Sequence, residues 1–432
     1  MLKKIRNNAF AWNSFVLFSG SMVNNVLNYI FHLVVGRMVG VAVFGEMESL
    51  ISLMTIISVP AMTLIMVMTK YAAECKAQDD KKRSYELLRY FSKKIMQYGT
   101  PVFLVTIILT PLISKFLNIE SNIPLIIVWT SMLLSLYSSG AQGMLSGWQK
   151  FKESGWSLIA GGALKLVSAL IFIVIGIKLN GLMFSFFLSA VGTYVIALIC
   201  LKFIIIAGKN DKHEIGKLDF GPVKSTVATF FMGNLAITAL GNIDMVLAKH
   251  NLTDIEAGQY GALTIVSKII FFATGVIASV LFSMSAEHNH KKEGTSKKLF
   301  LQAFSLMIMV SVISVAVYFL APKLILSLLF GVKYNAVSGY LGWFAVLVVL
   351  FSLVNLTLQY LLSLHRVRVV YGMLAVAGFS AVTILFFGHT ISAILTIGII
   401  AQFVALISTL PFVLRSFNST PSSLKPHNDE LG

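Results

Sequence analysis

Twelve apolar windows, each long enough to cross a bilayer, occupy most of the chain and leave little room for any other kind of fold. They fall roughly at 14–36, 48–69, 97–117, 124–146, 157–177 and 182–206, and again at 226–248, 258–284, 299–320, 338–362, 369–387 and 391–414. A hydrocarbon core of about 30 Å needs about 20 residues of α-helix, and longer windows can tilt. A helix satisfies its backbone N–H and C=O groups internally, which lipid cannot do for it. The windows therefore predict an all-α polytopic membrane protein of about twelve transmembrane helices. Composition agrees. Of 432 residues, 57% are hydrophobic and 12% charged, against about 25% charged in a soluble domain. Mean hydropathy is +0.83. The opening MLKKIR followed by an apolar run has the look of a secretory signal, but the run continues to about Val35 without a small-residue cleavage site. A retained first span is the better reading.

The net charge of +16 could suit a nucleic-acid binder, but such proteins gather Lys and Arg on one solvated face. Here the basic residues sit on every second connection. With the N-terminus inside, 26 Lys and Arg fall on inner segments, 6 on outer connections (Arg37, Lys115, Lys178, Lys249, Lys323, Lys333) and 2 within spans. The positive-inside rule then places both termini in the cytoplasm, in a multi-pass protein of the cell membrane with no nucleic-acid partner. Cys75 and Cys200 lie near inner helix ends, where thiols stay reduced, so neither a disulfide nor a metal site is expected. His288 and His290 in HNHKKEGTSKK are read as a solvated loop, since a metal needs more ligands. Asn251-Leu-Thr253 forms a glycosylation sequon on an outer connection. The segment from Lys70 to Gln97 begins polar. It then places Tyr85, Leu88, Phe91 and Ile95 at helical spacing among Arg89, Lys93 and Lys94, as an interfacial helix feeding the third span does; a docking site for a partner enzyme is the alternative.

A shift of 213 residues lays VAVFGEMESL (41–50) on DIEAGQYGAL (254–263), matching Gly45 to Gly258, and Ala73-Glu74 to Ala286-Glu287. A shift of 217 lays Gln142, Leu145 and Ser146 on Gln359, Leu362 and Ser363. The common order points to a duplication of six spans, with bundles at 1–208 and 209–414 and a disordered cytoplasmic tail at 415–432. Six being even, the halves share one orientation. They are expected to be related by a pseudo-two-fold along the membrane normal, an arrangement suited to alternating access.

Polar residues within the spans are the candidate site. The first span carries Ser21, Asn24, Asn25, Asn28 and His32 within an arc of roughly 100° at about 100° per residue. Interhelical hydrogen bonding is the plain reading of such residues, and the wall of a wet cavity is the functional one. The seventh span repeats the pattern more weakly with Asn234, Thr238, Gly241 and Asn242. Lys165 and Lys268 stand mid-span, where a lysine costs about 2.5–3.5 kcal/mol. Asp244 is the one acid read at comparable depth, as a partner for Lys268 or a coupling group. That leaves Lys165 without an acid and an excess of positive charge suited to a phosphate group. Pro60 should kink the second span, with Gly275 as a bend at similar depth in the eighth. No glycine-rich phosphate loop and no paired carboxylates on a roomy connection are present, so no enzyme activity and no cofactor is expected.

Taken together, VGRMVGVAVFGEMESL after the first span, LSGWQKFK at 145–152, GNIDMVLAKHNLTDIEAGQYGAL at 241–263 and LLFGVKYNAV at 328–337 give the chain a resemblance. It resembles the O-antigen and capsule type of polysaccharide flippase in the multidrug/oligosaccharidyl-lipid/polysaccharide exporter superfamily. The resemblance implies two six-helix bundles around a central cavity. It implies export of a polyprenyl-pyrophosphate-linked oligosaccharide for surface polysaccharide synthesis. By analogy with the superfamily's lipid II flippases, it also implies basic cavity residues, with Lys268 and either His32 or Arg37 in those positions. The expected substrate site is then Lys165, Lys268, Asn24, Asn25, Asn28, His32, Arg37 and Asn242. The expected partners are a lipid-linked glycan, the bilayer, and glycan polymerase and glycosyltransferase enzymes. A cation-coupled multidrug exporter of the same fold is the alternative, and a non-transporting scaffold acting through the 70–97 segment is a third reading.

Overall fold

The computed structural model describes residues 9–209, 221–290, 295–364 and 368–418. The elements in chain order are α1 (Ala9–Met38), α2 (Val41–Ile57), α3 (Val59–Ala77), α4 (Lys81–Lys94), a π turn (Ile95–Gly99), α5 (Thr100–Phe116), α6 (Ile123–Gly147), α7 (Phe151–Ile175), α8 (Leu179–Cys200) and α9 (Lys202–Lys209). They continue as α10 (Gly221–Leu240), α11 (Ile243–Asn251), α12 (Asp254–His290), α13 (Thr295–Leu320), α14 (Pro322–Leu329), a 3-10 stretch (Val332–Tyr340), α15 (Leu341–Ser363), α16 (Arg368–Phe387) and α17 (Ile391–Asn418). Among the described residues, nine helical stretches are long and apolar enough to cross a membrane, and α2 with α3 forms a tenth, bent by 41°. The 30-residue α1 and the 37-residue α12 are also longer than a bilayer core requires. Ile108, Val174 and Leu320 stand well exposed on their helices, as residues facing lipid do.

Three spans are interrupted, and local chemistry accounts for each. In the second, α2 stops at Ser58, whose hydroxyl donates to the Thr55 carbonyl (2.7 Å). Pro60, without an N–H, falls in the first turn of α3, where that loss is harmless. In the third, α4 starts from Asp80, whose carboxylate accepts from the Arg83 N–H (2.8 Å). It runs through the π turn into α5, with Pro101 in the first turn of α5. The expected interfacial helix is thus continuous with the third span, and only 78–80 separate it from α3. In the seventh, Gly241 and Asn242 part α10 from α11. At Gly275, α12 continues without a break in its helix.

Contacts divide the chain into two compact units. Among the described residues, the first holds 9–209, 221–231, 245–262 and 329–333. In it α1 packs on α7, α7 on α8, and α6 on both α3 and α8, with a core around Met68, Met144, Leu145 and Leu201. The later segments are tied in by specific bonds. Gly45 and Gly258, matched by the sequence repeat, meet so closely that a Cβ on Gly258 would lie 1.9 Å from the Val41 carbonyl oxygen. Lys249, counted by charge as an outer-connection residue, is fully buried; its ammonium meets the Asp254 carboxylate and lies 3.9 Å from Glu46. The Lys333 ammonium donates to the carbonyls of Val39 (2.5 Å) and Arg37 (3.2 Å). Thr253, the last residue of the sequon, caps α12 in a capping box: the Thr253 N–H donates to the Glu256 carboxylate (3.1 Å) and the Glu256 N–H to the Thr253 hydroxyl (3.4 Å).

Among the described residues, the second unit holds 232–244, 263–290, 295–328, 334–364 and 368–418. Here α15 packs on α13 and α17, and α16 on α17, around Val354, Leu361, Val370 and Met373. Polar bonds join its helices, as is usual within a bilayer: Tyr318 Oη donates to the Val266 carbonyl (2.9 Å) and Gln402 Nε2 to the Leu240 carbonyl (3.0 Å). The tail begins later than the sequence indicated, because α17 continues through Asn418. Residues 419–432 and 291–294 lie outside the described residues. His288 and His290, expected in a loop, belong to the last turn of α12.

Candidate functional site

The polar stripe of α1 runs along α7 within the first unit. Asn24 lies over Gly162, where a Cβ would come 2.7 Å from its Oδ1. One turn on, Asn28 Oδ1 accepts from the Lys165 ammonium. The faces of Phe31 and Phe186 flank that ammonium, each ring centre 4.5 Å away, and the two rings meet edge to face at 5.3 Å. A further turn along α1, His32 Nδ1 meets Glu48 Oε1 of α2 at 2.5 Å. Glu48 also acts electrostatically on Lys165. Asn24, Asn28 and His32 thus stack at intervals of four residues and place an amide, an ammonium and an imidazole–carboxylate pair in one row.

Enclosure of this row corrects two expectations. Lys165 is 4% exposed, packed among protein groups and not facing a wet chamber. It also has an acid nearby, Glu48, which is 3% exposed. Burying an unpaired ammonium costs several kcal/mol. Here an amide oxygen, a carboxylate and two ring faces offset that cost, desolvated cation–π contacts contributing about 2 kcal/mol. The embedded excess of positive charge inferred from sequence therefore does not hold. Glu48 stands at the very start of the apolar window at 48–69, where window bounds do not tell a buried carboxylate from one at the membrane surface. Of the remaining first-span candidates, Asn25 is exposed. Arg37 is also exposed, and its Nε donates to the Leu329 carbonyl (2.9 Å), apart from the row.

The second unit brings together Asn242, Asp244 and Lys268. Asn242 sits at the break between α10 and α11, its amide donating to the Thr238 carbonyl (2.9 Å). The Lys268 ammonium donates to Asn242 Oδ1 at 3.2 Å, where the sequence had suggested Asp244 as its partner. Asp244 and Lys268 line one cavity of about 40 Å³ with Thr264, Ser380 and Gln402. At roughly 10–15 Å³ of accessible volume per water, that cavity suits a few waters or an ion and is too small for a sugar.

Interrupted spanning helices with buried Glu and Lys and partly buried Asn and His are the build of a polytopic membrane transporter, and solved structures with the same fold are of that kind. An inward-facing multidrug resistance MATE family transporter of the MOP superfamily matches with a TM-score of 0.76 at 12% identity, over 95% of this chain and 99% of that one. Its outward-facing counterpart matches at 0.63 and 15% identity, over 95% of each chain. The lipid II flippase MurJ in its inward closed conformation matches at 0.67 and 13% identity, over 94% of this chain and 89% of that one. No curated protein gives a significant sequence match. The profile of a family described as "Polysaccharide biosynthesis protein" matches residues 10–287, more than half of the chain, and the chain belongs to that family.

Proposed function

We propose that the chain is a flippase moving a polyprenyl-pyrophosphate-linked oligosaccharide across the cytoplasmic membrane for surface polysaccharide synthesis. The observation that carries this reading is the family match over residues 10–287 in a chain made of spanning helices. A protein of that build serves a polysaccharide pathway most directly by carrying its lipid-linked intermediates. The amide and imidazole groups of Asn24, Asn25, Asn28 and His32 suit sugar hydroxyls. Lys165 and Lys268 suit pyrophosphate oxygens, with Asn28 and Asn242 ceding the two ammonium groups when substrate enters. Both termini are cytoplasmic in this reading. The halves 1–208 and 209–414 rock about the site, Asp244 serves coupling or structure, and glycan polymerase and glycosyltransferase enzymes are neighbours in the pathway.

Replacing Lys165 and Lys268 with Met keeps their bulk and removes their charge. The double variant should reach the membrane at normal abundance and fail to restore surface glycan in a strain lacking the protein. Full restoration would remove both lysines from the site. A multidrug exporter is the second reading, favoured by the buried acid Glu48 and the MATE likeness. Drug tolerance measured beside surface-glycan staining in the same strain separates the two.

A further inference from the structure

A groove on the first unit has the form of a lipid site, and the glycan reading makes no use of it. It lies between the α2–α3 break, the π turn of the third span, and α6. Pro60 and Leu64 stand on one side, Val102 on another, and Trp129 and Leu133 behind. Its volume is about 420 Å³, against about 40 Å³ for the cavity at Lys268. Two helix irregularities shape it, each next to a proline (Pro60, Pro101), so the concavity follows from the backbone.

The two ends of the groove differ chemically. At one end are Lys94 and Tyr98, the ammonium 5.3 Å from the ring centre. Lys94 closes the amphipathic α4, next to Lys93 and one turn beyond Arg89. At the other end are Thr106 and Trp129. From Lys94 to Thr106 the helix climbs about 18 Å at about 1.5 Å per residue, a little over half of a core about 30 Å thick. The groove therefore has the depth of one leaflet, with its cationic end at the interface. It opens toward lipid, since Met96, Tyr98 and Val102 on the same helix are each more than 60% exposed.

We propose that this groove binds an anionic phospholipid of the surrounding bilayer, one acyl chain lying in the groove and the headgroup phosphate on Lys94. Trp129 reports on it. At 3% exposure, with Nε1 donating to Thr110 Oγ1 at 3.0 Å, it is shielded from lipid except through the groove. The full-length protein is placed in phosphatidylcholine vesicles containing a small fraction of phosphatidylglycerol brominated at mid-chain, or the same fraction of brominated phosphatidylcholine, and tryptophan fluorescence is read. One lysine favours an anionic lipid about five-fold, so brominated phosphatidylglycerol should quench at about five-fold lower mole fraction. That difference should vanish in Trp129→Phe, in Lys94→Gln, and in Val102→Phe, which narrows the groove from an exposed position. Equal quenching by both lipids, or a headgroup difference that survives Trp129→Phe, would overturn the proposal. Loss of the difference on adding glycerol phosphate would also overturn it, by pointing to a soluble phosphate instead.

Discussion

Glu48 holds the buried row of the first unit together. Its carboxylate meets His32 at 2.5 Å and acts on Lys165 across the same small volume. Removing one partner of a buried pair leaves the other charge uncompensated, at about 3–5 kcal/mol. Glu48→Ala should therefore lose about that much in unfolding experiments on the purified protein, while Glu48→Gln, which keeps an acceptor for the imidazole, should lose less. Combined with His32→Ala, the loss should be smaller than the sum of the single effects by about 1–3 kcal/mol, the usual coupling of residues in one network. Strict additivity would mean that the two side chains do not act together. Sequence showed the depth of Lys165 because its neighbours in ALKLVSAL are apolar on both sides. It hid Glu48, because window edges are placed only to within a few residues and a carboxylate at an edge looks interfacial. The partners of a buried charge come from other helices, and only packing reveals them.

At the scale of elements, the spans were legible and their breaks only partly so. Apolar length marked each of the ten candidate spans among the described residues, and Pro60 marked the bend in the second. The π turn at Ile95–Gly99 and the break at Gly241 left no periodic signature, since one extra residue in a turn or one interrupted bond hardly changes apolar spacing. The repeat was more informative. It matched Gly45 to Gly258, and these two glycines pack against each other. A Cβ on Gly258 would press on the Val41 carbonyl, which as backbone cannot turn aside. Gly258→Ala should therefore force α2 and the first turns of α12 apart. In a Cys75→Ser, Cys200→Ser background, a cysteine at Val41 should then react faster with a membrane-impermeant maleimide than it does with Gly258 intact. Unchanged labelling would show that the close approach is not needed to hold these elements together.

At the scale of the whole molecule, the distribution of charge makes the prediction. Lys and Arg divide 26 to 6 between alternate connections, and basic segments resist translocation. The structure adds places where the division can be probed without disturbing a helix. α7 ends at Gly176, in the left-handed region with φ 86°, where no Cβ contact is near, and α17 ends by Asn418. A fluorescent reporter that matures only in the cytoplasm should be bright when fused after residue 418 and dark when inserted after Gly176. An enzyme reporter active only outside should give the opposite pair. With an even number of spans both termini share one side, so a reporter at residue 1 should match the one at the C-terminus. Disagreement between the two termini would remove a span from the count of twelve. Agreement with both reporters outside would turn the molecule over, and would move the Lys94 end of the lipid groove from the inner leaflet to the outer one. The direction of glycan movement and the leaflet that supplies the lipid thus depend on one topological fact, and the three fusions measure it.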